Sequence, residues 1–263
     1  MSKKILLADI ADCLGVSKTL VSLVLNGKGD EYGINQQTQK KVQDKAQELN
    51  YTPNVLAQGF RTGKTKTIGL IVSDISNLFY SRIARRIEDY AWEHGYSVII
   101  CSSDESIEKE IKRIRLLLSR KVDGLIISSS QDNADSFNQF SSTNYPHVFI
   151  DRCFKNTESP CVTVDNTAGA QMAAKHFLEQ GITDIALLSI TPEHISTITE
   201  RTNGFLSALA EEKVDIPEEW HIKIAFNDIE SEVEQKLTQL YQSGSMPRAI
   251  FALNNNLTSH CLL

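Results

Sequence analysis

Leu6-Leu7-Ala8-Asp9-Ile10-Ala11-Asp12-Cys13-Leu14-Gly15-Val16-Ser17-Lys18-Thr19-Leu20-Val21-Ser22-Leu23-Val24-Leu25-Asn26 sets the architecture of the amino-terminal part of the chain. Leu6, Leu7, Ile10, Ala11 and Leu14 recur at helical spacing and share one face; Val16, Leu20, Val21 and Val24 share another. Two short helices are therefore expected, with Gly15 between them. Close crossing of helices needs a small residue at the contact, and the turn needs a residue that tolerates positive φ. The second helix needs a branched apolar anchor. Ala11, Gly15, Val21 and Val24 supply these in order, the pattern of a helix-turn-helix. Ser17 is placed to cap the second helix. A third amphipathic helix is expected from Asn35 through Thr38, Val42, Ala46 and Leu49. The spacing alone would also fit an ordinary helical hairpin.

Charge separates this segment from the rest. Residues 1–66 carry 10 Lys+Arg against 6 Asp+Glu, and the remainder 17 against 27, so +4 and −10 make the net −6. A small basic module ahead of an acidic body is the distribution expected of a nucleic-acid head joined to a domain with another task. Downstream, apolar runs at Ile68–Val72, Ser97–Cys101, Gly124–Ile127 and His147–Ile150 alternate with helical stretches Leu78–Glu93, Ile107–Arg120 and Ala134–Ser141. A second series follows: Val162–Val164, helix Thr167–Glu179, Ile185–Leu188, helix Arg201–Glu211, His221–Ala225, helix Ser231–Tyr241 and Ala249–Leu253. Continuous apolar strands separated by helices imply parallel sheets covered on both faces. The expected fold class is α/β: an all-α head, then two Rossmann-like lobes that break near Lys155–Pro160, with a ligand cleft between them.

With 263 residues, 41% apolar and 23% charged, the composition is that of a globular chain, and no apolar run approaches a membrane span. Asp9 interrupts what would be a signal-peptide core, so a cytoplasmic location is expected. Five cysteines, Cys13, Cys101, Cys153, Cys161 and Cys261, are odd in number and widely spaced; buried free thiols are expected rather than a disulfide framework or a zinc site. The six histidines lack metal-ligand spacing. Asp104, Glu105, Glu108 and Glu110 flank a helix start, where negative charge is favourable without any catalytic role. Gly-x-Gly-x-x-Gly after a strand, a phosphate-binding Gly-x4-Gly-Lys-Ser/Thr and a Gly-x-Ser-x-Gly elbow are all missing, so neither an enzyme nor a cofactor is expected.

Longer motifs make the reading specific. Val16-Ser17-x3-Val21-Ser22-x-Val24-Leu25-Asn26, then Tyr51-x-Pro53-Asn54-x2-Ala57, then Arg61-Thr62-Gly63-x-Thr65-x-Thr67-Ile68-Gly69 resemble the head and hinge of the lactose/purine repressor (LacI-type) family. Shorter matches carry the resemblance along the body: Asp74-Ile75-Ser76-Asn77 with Phe79, Val164-Asp165-Asn166, and Arg201-x2-Gly204-Phe205-x2-Ala208-Leu209. The resemblance implies a head over 1–52, a hinge helix and linker over 53–66, and a periplasmic-binding-protein-like body over 67–263. Lobe one of that body is expected at about 67–157 and lobe two at about 158–263. The family pattern continues beyond Asn254-Asn255-Asn256, so the second lobe is expected to be incomplete at residue 263.

The implied partners are double-stranded operator DNA, a small sugar-like effector and a second copy of the chain, and no membrane. In the second helix, Lys18 and Thr19 would lie near base edges, while Ser17, Ser22 and Asn26 suit phosphates; Ser22 and Asn26 fit plain surface and capping roles equally. Leu23 stands where the family commonly has Arg and could meet a thymine methyl. Asn54, Ala57 and Phe60 fall on the hinge, Phe60 as the minor-groove wedge in place of the usual Leu. Gly59 beside it lowers helicity by about 1 kcal/mol relative to Ala, so the hinge is expected to order only on DNA. For the effector, the resemblance places Phe79, Tyr80, Asp151, Thr197, Arg201, Phe226 and Asn255 around the cleft. Ile195 stands where the purine-binding member has Arg, which favours a sugar over a purine. The alternatives are a fragment that keeps DNA binding without an effector response, and a solute-binding or enzymatic domain on the same head.

Overall fold

The computed structural model describes residues 5–52 and 63–262. In the head, α1 (Leu7–Leu14) starts where the Asp9 carboxylate accepts the Leu6 N–H at 2.7 Å and stops at Gly15, whose φ of 65° turns the chain. A side chain there would be strained, which is why the turn needs glycine. The Ser17 hydroxyl accepts from Leu20 N at 3.1 Å and opens α2 (Lys18–Leu25); Asn35 does the same for Thr38 N at 2.7 Å and opens α3 (Gln36–Glu48). Ile10, Ala11, Val21, Val24, Val42 and Ala46 are buried together between the three helices. Each buried valine contributes about 1.5–3 kcal/mol by leaving water, a large share of the stability of so small a module. The hinge residues Asn54, Ala57 and Phe60 lie outside the described residues.

From Gly63 onward the chain forms a second unit. Its first sheet holds β1 (Thr67–Val72), β2 (Ser97–Ser102), β3 (Gly124–Ile127), β4 (His147–Ile150) and β5 (Cys161–Val162), all parallel, in the order β2-β1-β3-β4-β5. Crossovers are made by α4 (Leu78–Glu93), α5 (Ile107–Ser119) and the short α6 (Asn138–Ser142). Alternation along β1 supplies two cores. Leu70 and Val72 pack with Tyr80 and Ala84, while Ile71 faces the other way onto Leu117, Leu125, Ile127 and Phe149.

The second sheet, β6 (Ile185–Thr191), β7 (His221–Ala225) and β8 (Ala249–Ala252), is parallel in the order β7-β6-β8. It carries α7 (Asn166–Glu179), α8 (Ser196–Glu211), α9 (Ile229–Ser243) and α10 (Asn255–Cys261). Central β6 is buried from Ile185 to Ile190, as expected of a strand covered on both faces.

Three expectations change. Val162–Val164 does not open the second sheet: Cys161 and Val162 pair with Phe149 and Ile150, so the strand belongs to the first sheet, where β4 offers it an open parallel edge. Helix α8 starts at Ser196 rather than Arg201, which puts Arg201 in its second turn. The cysteines are not all buried free thiols. Cys153 and Cys161 are disulfide-bonded with Cα atoms 5.8 Å apart, because the loop leaving β4 returns beside its neighbour β5; Cys13 is exposed, and Cys101 and Cys261 are half-buried.

Helices α7 and α8 cross at Gly204, where an added Cβ would sit 2.6 Å from the Thr167 carbonyl oxygen and 3.0 Å from its Cα. Backbone cannot yield as a flexible side chain does. Gly204→Ala should therefore destabilise the body by about 1–3 kcal/mol, despite the roughly 1 kcal/mol gained in helix propensity. Urea unfolding followed by circular dichroism measures it; a more stable variant would contradict the close crossing.

Candidate functional site

The outer face of α2 is the candidate reading surface. Lys18, Thr19 and Asn26 are exposed, Ser22 and Leu23 half-buried, and the opposite face is anchored by Val21 and Val24. The Ser17 hydroxyl accepts from Leu20 N in the cap, a role that does not use its O–H. Asn26 caps the helix end and donates to the Ser22 carbonyl at 2.6 Å and the Ser22 hydroxyl at 3.3 Å.

The carboxyl ends of both sheets open on one cavity of about 490 Å³. Phe79, Tyr80, Asp151, Thr197, Arg201, Phe226 and Asn255 all line it, brought there by three helices and by the loops after β4 and β7. The N-terminus of α4, capped by Asn77, delivers Phe79 and Tyr80, whose rings meet edge-on at 5.0 Å. Phe79 is exposed to the cavity, whereas Tyr80 is buried and donates to Asp151 Oδ2 at 2.8 Å, with Ser128 Oγ at 2.9 Å. Arg201 donates from Nε to Asn166 Oδ1 at 2.9 Å and from Nη1 to the Leu253 carbonyl at 2.7 Å; neither bond uses Nη2. Asn166 in turn donates to Glu200 at 2.9 Å, so the guanidinium is fixed in orientation before any ligand arrives. Ile195 is buried and lines the cavity, giving it an aliphatic wall.

Two of the four carboxylates expected to be helix-start ornaments are built into this region. Glu105 pairs with buried Arg152 through both terminal nitrogens, Nη1 at 2.6 Å and Nη2 at 2.5 Å, and both residues line the cavity. Glu110 is buried and accepts from Ser129 Oγ, Ser130 N and Gln131 Nε2. Asp104 and Glu108 do behave as surface charges, paired with Lys109 and Lys112. Sequence reasoning missed Glu105 because its partner lies 47 residues away, on the loop after β4. It also missed Asn77 and Asn166, although the matched motifs contain both.

Burial governs the titration of the cluster. It pushes the Tyr80 phenol up to about 12, so Tyr80 remains a donor at neutral pH. Burial also raises Asp151 above the ordinary carboxylate range, opposed by the Tyr80 hydrogen bond and by Arg152 and Arg201. Glu110 is raised by burial against its three hydrogen bonds. Among the described residues, three hydrogen bonds cross between the lobes. Asn255 Nδ2 donates to Asn77 Oδ1 at 2.9 Å, Cys153 N donates to Ser196 Oγ at 3.2 Å, and His194 Nε2 lies 3.0 Å from the Ser130 carbonyl. Among the described residues there is no His/Cys/Asp/Glu cluster that could hold a metal and no helix long and apolar enough to cross a membrane.

A helix-turn-helix head joined to a two-lobe body with a cleft at its strand ends defines a class of regulator-like chains. Residues 65–259 match the periplasmic binding proteins and sugar binding domain of the LacI family, and residues 6–54 match the bacterial regulatory proteins of the lacI family. The chain belongs to the LacI family. The transcriptional regulator RegA of Clostridium saccharobutylicum is 36% identical over 211 residues, covering 80% of this chain and 63% of RegA. The catabolite repressor/activator of Escherichia coli is 33% identical over 247 residues, 93% of this chain and 72% of that one. The Lac repressor dimer bound to operator and the anti-inducer ONPF matches with a TM-score of 0.84 at 25% identity, over 99% of this chain and 77% of that one. This chain thus spans less than two thirds of the length of RegA.

Removing one member of a buried ion pair leaves the other uncompensated. Glu105→Gln should cost about 3–5 kcal/mol, whereas replacing both partners, Glu105→Leu with Arg152→Met, should cost much less. Urea unfolding of the two variants makes the comparison, and equal losses would show that the pair is not desolvated.

Proposed function

We propose that this chain is a sequence-specific DNA-binding transcriptional regulator, a repressor, whose operator affinity is set by a small sugar-like effector held between its lobes. The observation that carries this reading is the convergence of all seven family-matched residues on one cavity, in a chain that also bears an exposed reading helix. The protein works in the cytoplasm, as a homodimer, and without catalysis. A single recognition helix reads too few base pairs for specificity, so two heads address a pseudo-palindrome. The relative seen as a dimer on operator supports that arrangement.

On DNA, α2 enters the major groove. Lys18 and Thr19 reach base edges, Leu23 offers an apolar contact, and Ser17, Ser22 and Asn26 fix register on phosphates. Asn54, Ala57 and Phe60 act at the minor groove, with Phe60 as the wedge. In the cleft, Phe79 and Phe226 present apolar faces to a sugar ring, while Arg201, Asp151, Thr197 and Asn255 bind hydroxyls. Ring stacking and hydroxyl recognition are what an aliphatic wall at Ile195 leaves room for. Ligand shifts the lobes only by the difference in its affinity for their two arrangements. The Asn255–Asn77 bond, between a candidate ligand contact and a cap on the opposite lobe, belongs to one of those arrangements.

Lys18→Ala should weaken operator binding by about 1–3 kcal/mol and relax preference at one base pair. Affinity of the unaltered chain should fall steeply as salt rises. Fluorescence anisotropy on a selected operator and its single-base variants reads both. A loss uniform across all sites would remove Lys18 from the base edge, and a flat salt response would contradict phosphate contacts by the head.

A further inference from the structure

We propose that the cleft is built for an anionic polyol, a ring bearing hydroxyls and one phosphate or carboxylate group, and that Arg82 is the residue that selects it. The inference rests on the effector reading of the cleft and narrows it to a chemical class.

Five charged side chains line the cavity: Arg82, Glu105, Asp151, Arg152 and Arg201. Three cations face two carboxylates, a surplus of one positive charge. The pairing within the set locates that surplus. Glu105 is consumed by its two-point contact with Arg152, and Asp151 accepts from Tyr80 with Arg152 Nε 3.8 Å away. Arg201 is held by two neutral acceptors, which orient it without neutralising it. Arg82 has no carboxylate partner among the described residues, although Arg85 on the same helix is paired with both Glu88 and Asp89. The two guanidiniums with no carboxylate at ion-pair distance among the described residues therefore come one from each lobe: Arg82 from α4, and Arg201, which acts on Asp151 only at longer range, from α8.

Other features favour negative charge at the same place. Helix α4 is 16 residues long and directs the positive end of its dipole at the cavity, where Asn77, Leu78 and Phe79 line the wall. Arg152 Nε is buried without a hydrogen-bond partner in the same wall. A neutral sugar would leave Arg82 solvated at the rim and gain nothing from it. A phosphate or carboxylate on the ring would instead accept paired N–H donors from Arg82 and the free Nη2 of Arg201, and would join the lobes through one group.

The test is calorimetric titration of the full chain with matched compounds: fructose against fructose 1-phosphate, glucose against glucose 6-phosphate and gluconate, and inorganic phosphate alone. At least one anionic member should bind about tenfold or more tightly than its neutral counterpart, with the preference shrinking as salt rises. Arg82→Gln should cut that preference about tenfold, and Arg86→Gln, one turn further along α4 and outside the cavity, should retain it. Neutral sugars that bind as tightly as their anionic partners, or a preference that survives Arg82→Gln, would overturn the proposal. Inorganic phosphate alone reaching full affinity would reduce the site to an adventitious ion only. If neutral sugars bind while the anionic forms do not, the effector reading stands and this one fails; if no member binds, both fail.

Discussion

Parallel strands cannot be joined by a tight turn, so every strand of a parallel sheet ends in a loop on the same edge and the chain returns through a helix. Both sheets here obey that constraint. Because the two carboxyl edges open on one cavity, the loops after β1, β2, β4, β6, β7 and β8, with the opening turns of the helices they lead into, supply its lining. The location of the candidate ligand site is thus a consequence of strand direction. Its chemistry is a separate matter, set by which side chains those loops carry.

The lining shows how charge is managed in a partly dry space. Arg152 is held by Glu105 at two points and by Asp151 at longer range, and Tyr80 keeps Asp151 supplied with a donor. A buried cation satisfied in this way is fixed, and it fixes the loop that follows β4. The Cys153–Cys161 bridge constrains the same loop from the other side, where it passes Ser196 of lobe two. Rigid walls of this kind would let a ligand act on lobe separation rather than on local side chains, as the proposed sensing requires.

Much of this was legible in the residues. The Ala11, Gly15, Val21 and Val24 spacing located the head, because helix crossing and turn geometry admit few side chains. Alternating apolar runs located most strands to within a residue or two, because few polar residues interrupt them; β6 runs three residues beyond the expected Leu188, because Ser189 broke the apolar run. Sheet membership was less legible. Cys161–Val162 is as apolar as an opening strand of lobe two would be, and only hydrogen bonding to β4 assigns it. The start of α8 was missed for a related reason: Ser196-Thr197-Ile198-Thr199 is rich in β-branched residues, and tertiary packing overrides that local preference. The Glu105–Arg152 pair was out of reach, since nothing local links a helix-start carboxylate to an arginine two strands away.

The central claim is that loops from both lobes form one ligand site. Amide hydrogen exchange of the full chain, with and without saturating fructose 1-phosphate or whichever compound of the panel binds best, tests it directly. Protection appearing together at 74–80, 151–153, 195–201 and 254–257 is the predicted result. Protection confined to one lobe, or arising only away from these loops, would contradict it.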